Sequence, residues 1–537
     1  MNDLDWWRGA IIYQIYPRSF KDSTGNGVGD LKGVIEKVPY IANLGVDAIW
    51  LSPFFTSPMK DFGYDVSDYK NVDPTFGTLQ DFQQLITEAH KSGIKVIIDQ
   101  VLSHTSEQHA WFEESKQCKS NAKADWYVWA DPKTDGTAPN NWLSFFGGSA
   151  WTYDTKRGQY YLHNFLSSQP DLNYHNPQVQ NAVLDVLRFW LELGVDGFRL
   201  DTVNMYFCDK LLRNNPPKDP NVPIQGMNSS NPRAYQSQIY NVNRPQNAEF
   251  LNRIRSLMNE YDARTTLGEI GSVQDTIGMM ANYTRGTNKL HMCYTADLLA
   301  EQKSASFVQQ VVSNIDSNIG DGWPCWSLGN HDAVRFATRW GTGVKDKQAF
   351  NKAMLSMVVS LKGSICIYQG EELGLEEANV PFEKLVDPFG IAFWPDYKGR
   401  DGCRTPMVWD NSESAGFSTT DDTWLPIAPE HKSNAANTQL VDANSVLNYF
   451  KEFLSIRKQH PALIKGDIEF LRTASDVLSF KRILDDDVCF VFINMSEQEK
   501  ELELEELSTL KRSFGTVNIK NNKLTLKPWQ VLIAKSK

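Results

Sequence analysis

Between residue 8 and about residue 375, short apolar runs alternate with longer stretches of helical period. Eight runs stand out: "IIYQIYP" (11–17), "VDAIWLSP" (46–53), "IKVIIDQV" (94–101), "VDGFRLD" (195–201), "TTLGE" (265–269), "LHMCYT" (290–295), "CWSLGNHD" (325–332) and "SICIYQGEE" (364–372). They are apolar almost continuously rather than at every second position, which marks strands buried on both faces. The segments between them include "LQDFQQLITEAHKSG" (79–93) and "PQVQNAVLDVLRFWLELG" (177–194). The second opens on Pro and closes on Gly, as a helix does. Buried strands alternating with helices predict a parallel sheet covered by helices. Eight such units predict an α/β fold of the (β/α)8 TIM barrel kind; on pattern alone, an open doubly wound sheet is the rival.

Two connections are abnormally long. From residue 101 to 195 the chain is rich in Trp, Asn, Gly and Ser ("NNWLSFFGGSAWTYDTKRGQYYLHNF"), which predicts an inserted small domain over 105–172. The loop after the fourth run is Pro/Asn-rich ("RNNPPKDPNVPIQGMNSSNPRAYQ"). Loops of this length are commonly functional lids or disordered, and both leave the C-terminal ends of strands, the active face of a barrel. After the helix-like "NSVLNYFKEFLSIRKQHP" (444–461) the texture changes to short alternating strands ("VLSFKRIL", "VCFVFIN", "KLTLK", "QVLIA"). The expected organisation is a barrel from 1–104 and 173–465, the insertion at 105–172, and a C-terminal antiparallel β domain at 466–537. The charged run "EQEKELELEEL" (497–507) is expected to be a solvated strand and turn.

Composition narrows the chemistry. The chain has 537 residues and a formal charge of −11, which disfavours nucleic acid as a partner. No apolar run reaches the 18 or more residues of a membrane helix. The opening "MNDLDWWRGA" lacks the basic and apolar regions of a signal peptide. Seven cysteines (118, 208, 293, 325, 366, 403, 489) are scattered, odd in number and without a CxxC pair. That argues against a disulfide framework or cysteine metal site, and the expected home is a reducing cytoplasm. The 16 Trp, 19 Tyr and 28 Phe suit stacking on a flat apolar face such as a sugar ring.

The predicted strand ends carry acids and imidazoles: Asp99 and His104 after the third, Arg199 and Asp201 at the fourth, Glu269 at the fifth, His331 and Asp332 at the seventh. Any one acid could be a helix N-cap; acids at four ends of one barrel are harder to explain so. Around one pocket they suit glycoside cleavage, which needs a carboxylate on one side of the anomeric carbon and a carboxylic acid on the other. A metal-dependent hydrolase using the same acids, or a non-catalytic sugar-binding module, remains open on these residues alone.

The segments "DQVLSH" (99–104), "DGFRLD" (196–201), "GEIG" (268–271) and "LGNHD" (328–332) resemble the four signature regions of the α-amylase superfamily, glycoside hydrolase family 13. With "YQIYPRSF" (13–20), "GYDVSDY" (63–69), "QPDLN" (169–173) and "GRDGCRTPMVWD" (399–410), the chain is similar to its α-glucosidase and oligo-1,6-glucosidase branch over nearly its whole length. The resemblance implies a retaining, exo-acting enzyme with no organic cofactor. Asp201 would be the nucleophile, Glu269 the general acid/base, and Asp332 the third carboxylate holding sugar hydroxyls. Arg199 would keep Asp201 ionised; His104 and His331 would bind hydroxyls of the same glucose, and Tyr64 would stack on it. Asp61 and Arg400 would close the non-reducing end, with Arg404 the alternative arginine, and Phe146 and Phe165 would wall the glucose site. Relatives favouring α-1,6 bonds tend to carry Val after the nucleophile; Thr202 here implies α-1,4 action on maltose and short oligosaccharides. Oligo-1,6-glucosidase, sucrose isomerase or glucosyltransferase action on the same scaffold are the alternatives. An inactive transporter partner would need an anchor and would lose its acids, and neither holds here. Region one departs from the family in having Ser103 where Asn usually precedes the His. The partners implied are small α-glucosides; the oligomeric state, monomer or dimer, is not readable.

The loop "DSTGNGVGD" (22–30) begins like an EF-hand, but the twelfth position is Gly33 where a bidentate Glu is required. By resemblance to the branch, Asp22, Thr24, Asn26, Asp30 and the carbonyl of Val28 would hold a structural Ca²⁺ or Mg²⁺. Uncharged Thr24 and Asn26 predict modest affinity.

Overall fold

The computed structural model describes residues 4–221, 229–271, 275–294, 296–471, 476–503, 510–516, 518–520 and 523–536. All eight predicted runs are strands: β1 (Ile11–Ile15), β2 (Ala48–Leu51), β3 (Lys95–Gln100), β4 (Gly197–Leu200), β5 (Thr265–Glu269), β6 (Met292–Tyr294), β7 (Pro324–Ser327) and β8 (Ser364–Tyr368). They pair in parallel and in chain order, β8 closing against β1, as a closed barrel. The open-sheet rival is thereby set aside.

The period of two along each strand sorts the side chains. Ile11, Tyr13, Ile49, Leu51, Val96, Ile98, Phe198 and Leu200 join the large cluster between strands and helices. Ile12, Ala48, Trp50, Ile97, Leu267, Met292, Tyr294, Cys325 and Cys366 form a separate cluster inside the barrel. The same inward parity carried to the C-terminal ends delivers Gln14, Asp99, Arg199, Asp201 and Glu269 to the mouth. The floor is apolar, and the chemistry begins one or two residues higher.

The helices end where their caps say. Helix α1 (Leu31–Leu44) is capped by Asp30, and α2 (Leu79–Lys91) by a Thr78/Asp81 capping box. Helix α3 (Pro177–Glu192) has Asn176 as cap and Pro at its first position; Gly194 follows at φ +99°. Between β3 and β4, the chain forms a three-stranded antiparallel sheet of Trp129–Ala130, Gln159–Leu162 and Trp151–Asp154. Its own apolar cluster includes Trp142, Trp151 and Leu162.

Helices α4 (Val446–Lys458) and α5 (Pro461–Lys465) lead into a C-terminal antiparallel sheet. Its strands β9 (Asp467–Phe470), β10 (Val477–Leu484), β11 (Asp487–Asn494), β12 (Leu510–Phe514) and β13 (Val531–Ser536) lie in the order β9-β10-β11-β13-β12. A second sheet pairs Lys500–Glu503 with Lys523–Leu526 and Ile519–Lys520. The charged run at 497–507 is thus a strand over Lys500–Glu503, and its 504–507 part lies outside the described residues. Among the described residues, no helix is long and apolar enough to cross a membrane.

Candidate active site

Arg199 is the centre of the barrel mouth. Its side chain has no exposure and touches three carboxylates: Nη1 meets Asp99 Oδ1 at 2.9 Å and Asp201 Oδ1 at 2.6 Å, and Nη2 meets Glu269 Oε2 at 2.5 Å. Asp99 and Arg199 are direct partners on adjacent strands, so backbone register makes the pair. Nε and Nη2 also donate to the Tyr294 hydroxyl at 3.2 and 2.7 Å. The planar fork suits this multidentate role.

The carboxylates differ in what balances them. Burial raises Asp201 and Arg199 opposes it, leaving the carboxyl at about 6. Glu269 is raised further by burial, to about 7, although Arg199 also opposes it. Asp332 moves the other way. Burial would raise it, but His331, Arg400 and Arg404 outweigh that and hold it well below the carboxylate range. Of these three only the arginines carry permanent charge, because burial pushes His331 down to about 3. Near neutral pH Asp201 and Asp332 are therefore ionised beside a glutamic acid poised to give or take a proton.

Each predicted binding residue falls at this mouth. Arg404 Nη2 donates to Asp332 Oδ1 at 2.7 Å and Arg400 Nη1 to the same oxygen at 3.2 Å. Only Arg400 also reaches Asp61 Oδ1 (2.8 Å), through Nη2, which donates to Asp387 Oδ1 at 2.8 Å as well. Between the two arginines considered for Asp61, geometry selects Arg400. Its guanidinium lies 5.4 Å from the Phe146 ring, and Phe146 packs edge-on to Phe165 and Phe389 at 6.3 and 5.3 Å. Phe165 in turn contacts His104 at 5.1 Å.

The imidazoles are fixed by neighbours. Gln14 Nε2 donates to His331 Nδ1 at 2.7 Å, which leaves the ring proton on Nε2. That nitrogen faces the Tyr64 hydroxyl at 2.5 Å, and Tyr64 donates onward to Asp99 Oδ2 at 3.1 Å. The Tyr64 and His331 rings stack at 5.3 Å with 3° between planes. His104 meets the Tyr64 carbonyl through Nε2 at 2.9 Å, and Ser103 Oγ lies 2.9 Å from its Nδ1. Thr202 touches both central acids: its N–H donates to Glu269 Oε2 and its hydroxyl to Asp201 Oδ2, each at 3.2 Å. It does so at φ +39°, a left-handed conformation unfavourable for a β-branched residue.

Ser103, the departure in region one, takes no part in the bonding of Asp99, whose partners are Arg199, Tyr64 and Trp50 Nε1 (3.2 Å). Asp387, Tyr294, Gln14 and Trp50 were not singled out from the sequence. Tyr294 and Trp50 carry a signal in hindsight, since both sit at strand ends with inward parity. Asp387 lies in a loop and carries none. Gln169, within the quoted "QPDLN", donates to Asp61 Oδ2 at 3.1 Å.

The loop at 22–30 lies beside the segment 417–424. Asp22 Oδ1 accepts from Thr24 N (2.9 Å), Thr24 Oγ1 (3.1 Å) and Gly25 N (2.8 Å), and Oδ2 accepts from Gly27 N (2.8 Å) and Ser418 Oγ (2.6 Å). Asp30 caps α1 through Gly33 N at 2.7 Å and accepts from Ser23. Asn26 Oδ1 accepts from Val28 N at 2.9 Å. A Cβ at Gly27 would lie 2.0 Å from the Asp422 carbonyl, so the loop needs glycine there. The donors are all oxygens, which fits a hard divalent cation. Asp22 already accepts five hydrogen bonds, so a cation would compete with the loop's own donors.

A closed barrel with an arginine-bridged set of carboxylates at its C-terminal mouth fits a carbohydrate-cleaving enzyme of the barrel class. Residues 14–466 match the model of the alpha amylase catalytic domain, and the chain belongs to this family of glycoside hydrolases. It is 53% identical over 541 residues to a "probable alpha-glucosidase" of Rhizobium meliloti strain 1021, covering 99% of this chain and 97% of that one. It is 36% identical over 526 residues to the oligo-1,6-glucosidase of Parageobacillus thermoglucosidasius, covering 92% and 91%. Among solved structures, an alpha-glucosyl transfer enzyme superposes with a TM-score of 0.96 at 52% identity, covering 99% of each chain. The trehalulose synthase of Pseudomonas mesoacidophila MX-45 gives 0.89 at 32%, again covering 99% of each chain. The protein is thus a glycosidase of the α-glucosidase and oligo-1,6-glucosidase branch.

Proposed function

We propose that the protein is a retaining, exo-acting α-glucosidase that releases glucose from the non-reducing end of maltose and short α-1,4-linked oligosaccharides. One observation carries the mechanism: a single guanidinium contacts both Asp201 and Glu269. The two carboxyls are neighbours bridged by one planar group, which supports the shorter of the two separations that distinguish these enzymes. Retention requires about 5–5.5 Å between the pair, inversion about 6.5–9.5 Å. Asp201, kept ionised by Arg199, attacks the anomeric carbon and forms a β-glucosyl ester. Glu269 gives its proton to the departing oxygen, then takes one from the incoming water or sugar. Asp332 and the His104, His331 and Tyr64 cluster hold the glucose, and the Asp61–Arg400 pair with Asp387 behind it closes the far end. Thr rather than Val at position 202, directly after the nucleophile, supports the α-1,4 reading.

A second reading has a specific support: the likeness to a glucosyl transfer enzyme and to a trehalulose synthase. In that reading the same glucosyl-enzyme passes its glucose mainly to a sugar hydroxyl, so transglucosylation accompanies hydrolysis. A Ca²⁺ or Mg²⁺ held at Asp22, Thr24, Asn26, Val28 and Asp30 would stabilise the loop after β1 and take no part in the chemistry. All seven cysteines are unbridged, which supports a reducing, cytoplasmic setting.

The deciding experiment is a time course with maltose, isomaltose and sucrose, resolved by product chromatography, with Asp201→Asn as control. Glucose released mainly from maltose and lost in the variant is the expected result. Preference for isomaltose would overturn the linkage, isomerised sucrose would move the reading to an isomerase, and full activity in the variant would remove Asp201 from its role.

A further inference from the structure

The barrel's opposite end carries a group of side chains that the glycosidase chemistry does not use. His460, Asp487 and Cys489 each offer a ligand atom, and these atoms lie within 4.8 Å of one another. Among the described residues no other group of three His, Cys, Asp or Glu side chains comes as close. Asp487 and Cys489 sit two apart on β11, so both project from the same face. His460 stands between α4 and α5, three residues after Arg457, whose Nη2 donates to the Gly9 carbonyl just before β1. The group therefore joins the base of the catalytic barrel to the C-terminal sheet, far along the barrel axis from Arg199.

Asp487 is engaged by its neighbours, whereas His460 and Cys489 are not. His460 is 8% exposed, and its Nδ1 is buried with no hydrogen-bond partner. It occupies the N-cap position of α5 without capping it; Asp487 Oδ2 accepts from Ala462 N at 2.9 Å instead. Cys489 has no exposure and is unbridged. A buried ring nitrogen without a partner is unfavourable, and the other contacts of His460 do not offset it.

We propose that His460, Asp487 and Cys489 form a structural site for a zinc-like transition-metal cation, completed by one water, that pins the C-terminal sheet to the barrel. A thiolate, an imidazole and a carboxylate are the donor types zinc takes, and sulfur argues against calcium or magnesium. At zinc's bond lengths the ligand atoms would stand roughly 3.3–3.8 Å apart, so from 4.8 Å the three need close by only about 1 Å. Binding replaces the Cys489 S–H proton by an S–metal bond and releases that proton to solvent. The thiolate and the carboxylate then balance the dication. The other charges facing the site are Lys535 and Arg482. Cys489 lies between them in register on the sheet. Lys535 Nζ pairs with Asp487 Oδ1 at 2.8 Å, but its side chain is 38% exposed and free to turn to water as the metal enters. Arg482 spends its donors on the carbonyls of Ser360, Leu361, Leu463 and Gly466.

The test uses the full chain in a Cys118→Ser background, which removes the exposed thiol. Co²⁺ alone and Zn²⁺ alone are the probes. The expected result is one Zn²⁺ retained per chain after desalting, a thiolate-to-cobalt charge-transfer band, and a melting temperature raised by Zn²⁺. All three should vanish in Cys489→Ser and in Asp487→Asn, the latter preserving the oxygen that caps Ala462, while glucosidase turnover is unchanged. A Co²⁺ spectrum without a thiolate band, or stoichiometry and melting unmoved by both substitutions, would overturn the proposal. The spectrum of the parent protein decides the matter even if a variant fails to fold, and it separates this site from the all-oxygen loop at 22–30.

Discussion

Replacing Arg199 by Gln tests the electrostatic centre of the mouth directly. The substitution keeps a polar, hydrogen-bonding side chain and removes one charge that meets Asp99, Asp201 and Glu269 at 2.5–2.9 Å. Taking about 4 Å between charge centres and an effective dielectric of about 20, each pair is worth about 4 kcal/mol, or about 3 pKa units. Water entering the vacated space would halve that. Asp201, at about 6 with arginine present, should then titrate between about 7.5 and 9. The ionised fraction at pH 7 falls from about 0.9 to between about 0.2 and 0.01 by the same shift. The nucleophile's share of turnover should fall about 4-fold to 90-fold and return as the pH is raised. The assay is the pH profile of kcat/KM on an α-glucosyl fluoride, whose leaving group needs little help from Glu269, with near-UV circular dichroism to confirm folding. An acid limb that stays near 6 in the folded variant would refute the reasoning, because Arg199 would then not be what keeps Asp201 ionised. Stability should follow the same sign. A carboxyl whose folded pKa is raised contributes stability below its unfolded pKa and loses it as pH rises through the folded value. The variant should therefore be most weakened, relative to the parent, on the alkaline side.

The other predictions rest on the same residues. In the parent, kcat/KM on maltose should be bell-shaped, with an acid limb near 6 from Asp201 and an alkaline limb near 7 from Glu269, the two being macroscopic values of a coupled site. Glu269→Gln should erase the alkaline limb and cost about 10²–10⁴-fold on maltose but far less on the fluoride; an alkaline limb that survives would assign the proton to another group. Arg400→Gln leaves Asp61 and Asp387 buried without their shared cation, so KM for maltose should rise by at least roughly tenfold, a loss of about 1.4 kcal/mol or more, while an unchanged KM would remove the pair from substrate binding. Chelation of protein shown to contain Ca²⁺ or Mg²⁺ should lower the melting temperature by a few degrees, corresponding to about 2.7 kcal/mol for a site filled at 100 times its Kd; melting unmoved by chelation would show that the loop at 22–30 stands on its own hydrogen bonds.

The barrel was legible because its signals are local and repeated. Each strand is a continuous apolar run, and α2 and α3 carry their caps in sequence, Thr78 with Asp81 and Asn176 with Pro177. The acids at strand ends were legible for the same reason, since parity along a strand fixes which residues face inward. What escaped notice was the set of partners that come from loops. Asp387, which caps the short helix Pro388–Phe393, reaches Arg400 thirteen residues on, and Gln169 reaches Asp61 across 108. No period in the sequence encodes such meetings. The C-terminal strands β9 and β12 were missed because both are half-exposed and read as charged or mixed segments ("DIEF", "LKRSF").

In the proposed α-1,4 reading, Thr202 would couple charge to linkage preference. Its hydroxyl donates to Asp201 Oδ2, its N–H donates to Glu269 Oε2, and its Oγ1 lies 3.2 Å from Ser103 Oγ, which leads to His104. Thr202→Val keeps the branched shape, so the strain at φ +39° is unchanged, and the backbone bond to Glu269 survives. What is lost is one hydrogen bond to the nucleophile, worth about 1 kcal/mol, together with a polar edge facing the sugar. The acid limb should rise by less than about 1 unit. A pocket edge changed from hydroxyl to methyl discriminates ligands by about 1–3 kcal/mol, so the maltose-to-isomaltose ratio of kcat/KM should fall roughly tenfold. Thr202→Ser separates the two causes: it keeps the hydroxyl, drops the methyl and should keep the maltose preference. If Val leaves the ratio within about twofold of the parent, or Ser shifts it as far as Val does, the hydroxyl is not the determinant and the linkage is set by the loops above the mouth.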